Sequence, residues 1–237
     1  MEHERIEAIT FDCYGTLIDW ESGLVRALTP LLARHNLTMK DDAMLELYGT
    51  LEAQAEKGAW VPYREVLGRV VDGLGEWVGF VPQPHERAWI AESLPGWMPF
   101  PDTVQALRDL KRRFRLGIIS NVDDDLFAAT SRHLEIEFDW VVTAQQARAY
   151  KPARAIFETA LERIGLPRAS ILHAAQSLYH DVVPAQTLGL RTVHVHRRAA
   201  KEGFGATPPA DARPDAVVPD LASLAAMLGT RASRPAK

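Results

Sequence analysis

Short apolar runs alternate with helical patterns along most of this chain. Runs rich in β-branched and other apolar residues are typical of strands buried in a parallel sheet. They predict six strands: Glu7–Asp12, Arg115–Ser120, Trp140–Thr143, Ser170–Ala174, Arg191–His196 and Ala216–Val218. Helical patterns predict five helices between and after them: Thr103–Arg113, Asp124–His133, Ala153–Ile164, Val183–Leu188 and Leu221–Leu228. The alternation predicts an α/β fold with a Rossmann-like parallel sheet built from βαβ units.

One long stretch interrupts this alternation. From about Glu21 to Leu94 the apolar positions follow a mainly helical spacing. A helical block inserted after the first strand predicts a cap, with the proline-rich GWMPFPD (Gly96–Asp102) as the return hinge. The predicted organisation is a core of residues 1–19 and 96–230, a helical cap of residues 20–95 and a flexible tail of residues 231–237.

Composition and charge exclude several classes of protein. The chain has 237 residues, 47% of them hydrophobic, and a net charge of −4, so we expect neither nucleic acid nor a membrane as a partner. Cys13 is the single cysteine, which excludes an internal disulfide framework. The charged N-terminal segment lacks the apolar stretch of a signal peptide, and no run approaches membrane-spanning length. These features predict a cytoplasmic protein.

Residues that carry chemistry follow the first predicted strand. In ITFDCYGTLIDW (Ile9–Trp20), Asp12 ends the apolar run, and Thr16 supplies a hydroxyl four residues later. Gly15 between them permits a tight turn. Ligands of open α/β sheets bind at the carboxyl ends of the strands, which makes Asp12 a candidate covalent nucleophile. Taken alone, an aspartate at this position is more often a turn or helix-capping residue.

Three later segments also fall at the carboxyl ends of predicted strands. They are GIISN (Gly117–Asn121), AYKP (Ala149–Pro152) and HAAQSLYHD (His173–Asp181). In this order and spacing, the four segments resemble the four signature motifs of the haloacid dehalogenase superfamily. The resemblance covers essentially the whole chain, and four ordered motifs are far more specific than any single one.

Within that superfamily, the sequence resembles the 2-haloacid dehalogenase (type II) branch. Phosphatases of the superfamily use a second aspartate two residues after the first as general acid and base, and a fourth-motif aspartate as a ligand of Mg²⁺. Tyr14 and Gln176 stand at those two positions here, and neither supplies the missing carboxylate. The resemblance implies that Asp12 displaces halide from the carbon α to a carboxylate. Hydrolysis of the aspartyl ester would then give a 2-hydroxy acid, with no metal and no cofactor.

The resemblance also implies roles for individual residues. The implied catalytic group consists of Asp12, Thr16, Lys151 and Asp181. In it, Thr16 would orient Asp12, and Asp181 would balance the charge of Lys151. The implied substrate-binding group consists of Tyr14, Ser120, Asn121, Gln176, Ser177 and Arg64.

The resemblance implies different roles for the members of the binding group. Ser120 and Asn121 would contact the substrate carboxylate or the leaving group, or cap the following helix. Gln176 and Ser177 would position the hydrolytic water. Arg64 is our candidate for the cap arginine that helps relatives to hold substrate and halide. The implied partner is a small carboxylic acid; members of the family are often homodimers, and no segment here marks such an interface.

Departures from the family pattern leave other activities open. Well-known dehalogenases carry a Ser-x-Asn pair where Gln176 and Leu178 stand here. The QSLYHD version resembles a sub-branch that also contains a hydrolase of azetidine-2-carboxylate, in which ring strain replaces halide as the driving force. A phosphatase that recruits Mg²⁺ despite Gln176, and a non-catalytic scaffold that binds a small acid or a protein, are the remaining alternatives.

Two other polar groups have ordinary structural interpretations. The histidines His173, His180, His194 and His196 are predicted to be core or surface side chains, because zinc needs three or four converging ligands. The acidic run Asp123–Asp125 is predicted to be a solvated helix start, where negative charge complements the helix dipole.

Overall fold

A computed structural model describes residues 6–199, 201 and 203–230 of the chain. Its strands are β1 (Ala8–Phe11), β2 (Arg115–Ser120), β3 (Trp140–Thr143), β4 (Ile171–Ala175), β5 (Arg191–Val195) and β6 (Ala216–Val218). They form one parallel sheet in the order β3–β2–β1–β4–β5–β6. The predicted α/β class with a Rossmann-like parallel sheet is therefore confirmed. The predicted flexible tail, residues 231–237, lies outside the described residues.

Strand β1 lies inside the sheet, between β2 and β4. Its side chains are apolar except that of Thr10, which forms a hydrogen bond with His173 in the core. All four of its residues are buried, as expected for a strand covered on both faces by helices. Phe11, its last residue, pairs with Ile118 of β2 and Ala174 of β4. The residues that follow these three strands consequently meet at one edge of the sheet, which is where open α/β sheets bind ligands.

Four helices lie between β1 and the proline-rich segment Gly96–Asp102, and we call them the cap helices. They are α1 (Trp20–Arg34), α2 (Asp41–Ala55), α3 (Tyr63–Val78) and α4 (Trp89–Ser93). The remaining helices are α5 (Thr103–Lys111), α6 (Asp124–Leu134), α7 (Ala144–Ala147), α8 (Arg154–Ile164), α9 (Val183–Thr187) and α10 (Leu221–Met227). None of the helices in the described part of the chain is long and apolar enough to cross a membrane.

Two buried carboxylates connect the cap helices to the rest of the molecule. Asp123, which follows β2, accepts hydrogen bonds from the backbone amides of Tyr63 (2.9 Å) and Arg64 (3.0 Å) at the start of α3. Glu21 of α1 forms an ion pair with Arg198, which follows β5. The prediction of a solvated acidic run is therefore wrong for Asp123, which is only 4% exposed, because it caps a helix from another part of the chain.

The sequence patterns located the regular elements well and missed the irregular ones. Predicted and observed strands and helices agree to within two residues at their ends. The short helix α7 and a π-helical turn at Leu178–Val182 were not predicted. Such turns break the helical repeat and occur often at functional sites, so an apolar spacing pattern does not reveal them.

Candidate active site

A small cavity lies between the carboxyl ends of the central strands and the cap helices. Nine of its residues come from the core side: Asp12, Tyr14, Ser120, Asn121, Lys151, Gln176, Ser177, His180 and Asp181. The cap helices and their flanks supply Trp20, Glu52, Glu56 and Tyr63, and the loop after β5 supplies Thr207. The four sequence motifs therefore converge on one site, as their order along the chain predicts.

At the inner end of the cavity, Asp12 is held by two hydrogen-bond donors. The hydroxyl of Thr16 donates to Asp12 Oδ2 at 2.7 Å, and Lys151 Nζ donates to Asp12 Oδ1 at 2.8 Å. Lys151 Nζ also donates to Asp181 Oδ1 at 2.7 Å and to the carbonyl of Ile119 at 3.0 Å. All three hydrogens of the ammonium group are thus used, and the four predicted catalytic residues form one connected cluster.

The electrostatics of this cluster follow from its burial and its shared cation. Burial raises the pKa of Asp12, and the opposing attraction of Lys151 limits the rise. Burial would also raise the pKa of Asp181, but Lys151 and a contact with His173 lower it overall. Despite its own burial, Lys151 has a raised pKa because both carboxylates stabilise its charge. The ammonium group therefore stays charged, and its hydrogen bond favours the ionised form of Asp12.

The turn after β1 positions Thr16 by local geometry. Gly15 has a φ of 93°, in the region where a side chain is strained, and a Cβ there would lie 2.8 Å from Trp20 Nε1. Beyond the turn, the hydroxyl of Thr16 accepts a hydrogen bond from the amide of Gln176 at 2.9 Å. The first motif is thereby tied directly to the fourth.

Asn121 holds the loop that carries Lys151. Its Oδ1 accepts from the amide of Lys151 at 2.7 Å, and its Nδ2 donates to the carbonyl of Lys151 at 3.1 Å. The same Nδ2 lies 3.1 Å from Glu56 Oε1, across the cavity. The side chain predicted to bind substrate therefore also holds the loop of Lys151 in place.

Four further residues of the predicted binding group line the cavity. Ser120 is fully buried, and its hydroxyl has no hydrogen-bond partner within the described chain. Tyr14 shares a hydrogen bond of 2.8 Å with Thr130, while Ser177 accepts from the amide of His180 at 2.8 Å. Together with Gln176, they surround the space in front of Asp12. Their roles toward substrate stay predictions.

Arg64 does not reach the cavity, so the choice of this residue as the cap arginine is not supported by the structure. Its side chain is 47% exposed and forms an ion pair with Asp125 at the start of α6. The neighbouring Tyr63 takes the inward position instead and lines the cavity. Because successive helical residues point about 100° apart, only one of the two can face the site.

Sequence reasoning missed Glu52 and Glu56 of the cap. Glu52 Oε1 accepts hydrogen bonds from the hydroxyls of Tyr48 (2.7 Å) and Tyr63 (2.5 Å). Burial raises the pKa of Glu52 to about 7, against the lowering effect of both hydroxyls. Burial also raises the pKa of Glu56 well above that of an exposed glutamate. The spacing of Tyr48, Glu52 and Glu56 puts them on one helix face, a signal that could have revealed the pair.

His180 is a further lining residue whose position was not predicted. The π-helical turn carries it into the cavity beside Asp181. Burial lowers the pKa of His180 to about 4, so its imidazole is neutral at neutral pH. It therefore adds no cation to the site.

The residues around Asp12 do not fit a Mg²⁺ site of the kind that phosphatases of the superfamily use. The carboxylates of Asp12 and Asp181 already share the ammonium of Lys151, and an amide, Gln176, stands where a further acidic ligand would be needed. Magnesium prefers hard, mainly charged oxygen ligands. Within the described residues, no group of three or more His, Cys, Asp or Glu side chains is arranged to hold a metal ion.

Two family models match most of this chain. A family model described as haloacid dehalogenase-like hydrolase matches residues 6–174, and a HAD-hydrolase-like model matches residues 149–224. Haloacetate dehalogenase H-2 of Moraxella sp. (strain B) is 27% identical over 212 residues, which cover 86% of this chain and 92% of that protein. An (S)-2-haloacid dehalogenase of Pseudomonas sp. (strain YL) is 26% identical over 211 residues, which cover 86% of this chain and 89% of that protein.

Solved structures resemble this fold over nearly its full length. The L-2-haloacid dehalogenase of Xanthobacter autotrophicus with chloropropionic acid covalently bound superposes with a TM-score of 0.78 at 21% identity. The match covers 96% of this chain and 100% of that one. A second structure of L-2-haloacid dehalogenase from Xanthobacter autotrophicus gives a TM-score of 0.78 at 22% identity, with the same coverage. At such identities the likeness establishes the fold, and the chemistry must be argued from the site itself.

Proposed function

Since this chain belongs to the haloacid dehalogenase-like hydrolase family, we propose that it hydrolyses short 2-haloacids through a covalent ester at Asp12. The observation that carries the proposal is the environment of Asp12. Its carboxylate is buried in the cavity, where Oδ1 accepts a hydrogen bond from Lys151 and Oδ2 accepts one from Thr16. Two fixed donors orient a carboxylate for attack on a carbon atom in front of it, so that little freedom must be lost in the reaction.

In the first step, an oxygen of Asp12 attacks the carbon α to the substrate carboxylate. The new bond is the ester C–O bond; the carbon–halogen bond breaks, and its electron pair leaves with the halide. Attack from the side opposite the halide inverts the configuration at that carbon. The buried hydroxyl of Ser120, which has no partner in the described chain, is available to donate to the substrate carboxylate.

In the second step, water attacks the carbonyl carbon of the Asp12 ester. The ester bond breaks at that carbonyl, which releases the 2-hydroxy acid and restores the carboxylate. Gln176 and Ser177 line the cavity beside Asp12, where they can position the water. Asp181 balances the charge of Lys151 throughout.

The proposed reaction uses the ammonium group of Lys151 rather than a metal ion as the nearest positive charge to Asp12. A phosphatase would need to neutralise much more charge on a transferring phosphoryl group. The presence of Lys151 and Gln176 at these positions therefore supports substitution at a carbon atom rather than phosphoryl transfer.

A second candidate function is hydrolysis of a carbon–nitrogen bond next to a carboxylate, as in azetidine-2-carboxylate. It would use the same attack by Asp12. One observation favours it: the cap side of the cavity carries two carboxyl groups, Glu52 and Glu56, which suit a departing amine better than a departing anion.

The first prediction tests the haloacid proposal by halide release from racemic 2-chloropropionate and from chloroacetate in the presence of EDTA. Wild type should release halide, and Asp12→Asn should lose at least about a thousandfold in rate, because the nucleophile is gone. Added Mg²⁺ should not raise the rate. Chiral analysis of the lactate formed from 2-chloropropionate would show the inversion.

Other outcomes would point to the alternatives. If neither acid releases halide, the haloacid assignment is wrong, and amine release from azetidine-2-carboxylate is the next assay. Turnover of an aryl phosphate that is lost on chelation would support a phosphatase. A scaffold without catalytic activity would show no turnover that Asp12→Asn could remove.

A further inference from the structure

The charges that line the cavity are unbalanced. Four carboxyl groups line it, those of Asp12, Asp181, Glu52 and Glu56, while Lys151 is the single Lys or Arg among the described lining residues. The three hydrogens of Lys151 Nζ are already donated to Asp12, Asp181 and a carbonyl. No cation of the described lining is therefore left to receive a negatively charged group of the substrate.

The two cap glutamates place two carboxyl groups in the roof of the cavity. Glu56 is the C-cap residue that follows α2, at the end of the helix where the dipole is negative. Glu52 lies one turn earlier on the same face and is only 5% exposed. Two carboxyl groups and a helix C-terminus together favour a cation in the space below them.

An independent observation concerns the core side of the cavity, where a buried hydroxyl lacks a hydrogen-bond partner within the described chain. The Ser120 side chain is fully buried and lines the cavity, yet its hydroxyl has no partner within the described chain. An unpaired buried hydroxyl is costly, and a substrate carboxylate that accepted its hydrogen would remove the cost. The cavity therefore has a donor on its core side and acceptors on its cap side.

We propose that Glu52 and Glu56 form a subsite for positively charged nitrogen, so that the preferred substrate is a short 2-substituted carboxylic acid that also carries an ammonium group. This inference rests on the proposed function, since it concerns the same cavity and the same nucleophile. The raised pKa values of both glutamates agree with it, because burial is the main cause of each rise and an entering ammonium group would oppose that effect.

Two kinds of substrate share this chemistry. In a 2-halo amino acid, the ammonium group stays on the product, and halide leaves. In a strained cyclic amino acid, nitrogen is the leaving group: the Asp12 C–O bond forms, the C–N bond breaks, and its electron pair stays on nitrogen. That nitrogen departs as a neutral amine, and it takes up the proton set free when water hydrolyses the ester.

Three substrates with four carbon atoms test the inference on one protein. They are 2-chlorobutanoate, 4-amino-2-chlorobutanoate and azetidine-2-carboxylate. The first two differ by the ammonium group alone, and the last two give the same product, 4-amino-2-hydroxybutanoate, with chloride formed from only one. Asp12→Asn and a blank without enzyme correct for spontaneous ring closure of the chloroamine.

We expect wild type to prefer at least one of the two amines over 2-chlorobutanoate by about tenfold or more in kcat/KM, the size of a charged hydrogen bond. The double variant Glu52→Gln with Glu56→Gln keeps the shapes and removes the charges, and it should lose most of that preference. Glu46→Gln, on the exposed face of the same helix, is the matched control and should keep it. If the double variant does not fold, Glu56→Gln alone makes the same comparison at a half-buried position.

The outcomes separate the two proposals. Turnover of 2-chlorobutanoate as efficient as that of both amines, or a preference that survives in the variants, overturns the ammonium subsite and leaves the proposed function intact. If none of the three acids is consumed and none adds mass to wild type, the proposed function is wrong, and the subsite is wrong with it. Because the test compares kcat/KM between substrates on the same protein, it also separates a loss of ammonium recognition from a general loss of activity.

Discussion

At the scale of single residues, the decisive feature is one ammonium group between two buried carboxylates. Lys151 is 2% exposed and lies within 2.8 Å of Asp12 and 2.7 Å of Asp181. Such a buried cluster is stable only while its charges remain paired, because each isolated ion would be costly to remove from water. Lys151 therefore both stabilises the folded state and orients the carboxylate of Asp12.

We predict that Lys151→Met will destabilise the protein by about 3–5 kcal/mol, because two buried carboxylates lose their shared cation. Adding Asp181→Asn should restore part of that loss by removing one of the unpaired charges. Urea unfolding measures both changes. The control is Arg154→Met, which removes an exposed ion pair with Glu158 and should change stability by no more than about 0.5 kcal/mol. Equal stability of Lys151→Met and wild type would contradict the prediction.

At the scale of secondary structure, the cap helices are held by groups that lie far away in the sequence. Helix α3 begins at Tyr63 after Pro62, which offers no side-chain cap. Asp123, which follows β2, supplies that cap through both of its carboxylate oxygens. The same contact fixes the start of the helix where Tyr63 lines the cavity and donates to Glu52.

Loss of this cap should weaken the folded protein. We expect Asp123→Ala to lower the free energy of unfolding by about 1–2 kcal/mol, the usual cost of removing a helix N-cap. Asp125→Ala is the comparison, since its exposed ion pair with Arg64 is worth little. Unfolding in urea would show the difference, and equal effects of the two substitutions would rule out a cap at Asp123.

At the scale of the whole molecule, buried carboxyl groups of the cap helices and of the core line the same cavity. Glu52 of the cap is affected electrostatically by Asp12 of the core, and its pKa rises to about 7, mainly through burial. In the unfolded chain a glutamate titrates near its ordinary value of 4.5. Between these two values the folded protein binds more protons than the unfolded chain, so stability falls as pH rises through this window.

The resulting prediction compares wild type with Glu52→Gln, which does not titrate. From pH 5 to pH 8 wild type should lose roughly 2–3 kcal/mol relative to the variant, and the loss should level off above the folded pKa. Urea unfolding at several pH values measures the difference between the two proteins, in which the contributions of other groups cancel. A difference that does not change with pH would show that Glu52 titrates normally in the folded protein.

Much of the fold was predictable because it depends on local patterns. Apolar runs located all six strands, and the four motifs located Asp12, Thr16, Lys151 and Asp181. Strand ends in a parallel sheet meet at one edge whatever the details of packing, so residues at those ends converge as the sequence indicates. The position of these residues along the chain was therefore sufficient to predict that they meet on the core side of the site.

Which residues of the cap helices face the cavity was decided by the tertiary structure. A helical spacing shows that one face of α2 or α3 is buried, but it does not show what that face meets. The sequence therefore did not reveal that Glu52 and Glu56 face the nucleophile, that Asp123 caps a distant helix, or that Arg64 points away from the cavity. Those facts depend on how the cap helices dock on the core, and docking is determined by the packing of whole surfaces rather than by any one segment. By itself, the sequence determined the sheet and the pairing of Asp12 with Lys151, and only the tertiary structure decided which charged groups line the cap side of the cavity.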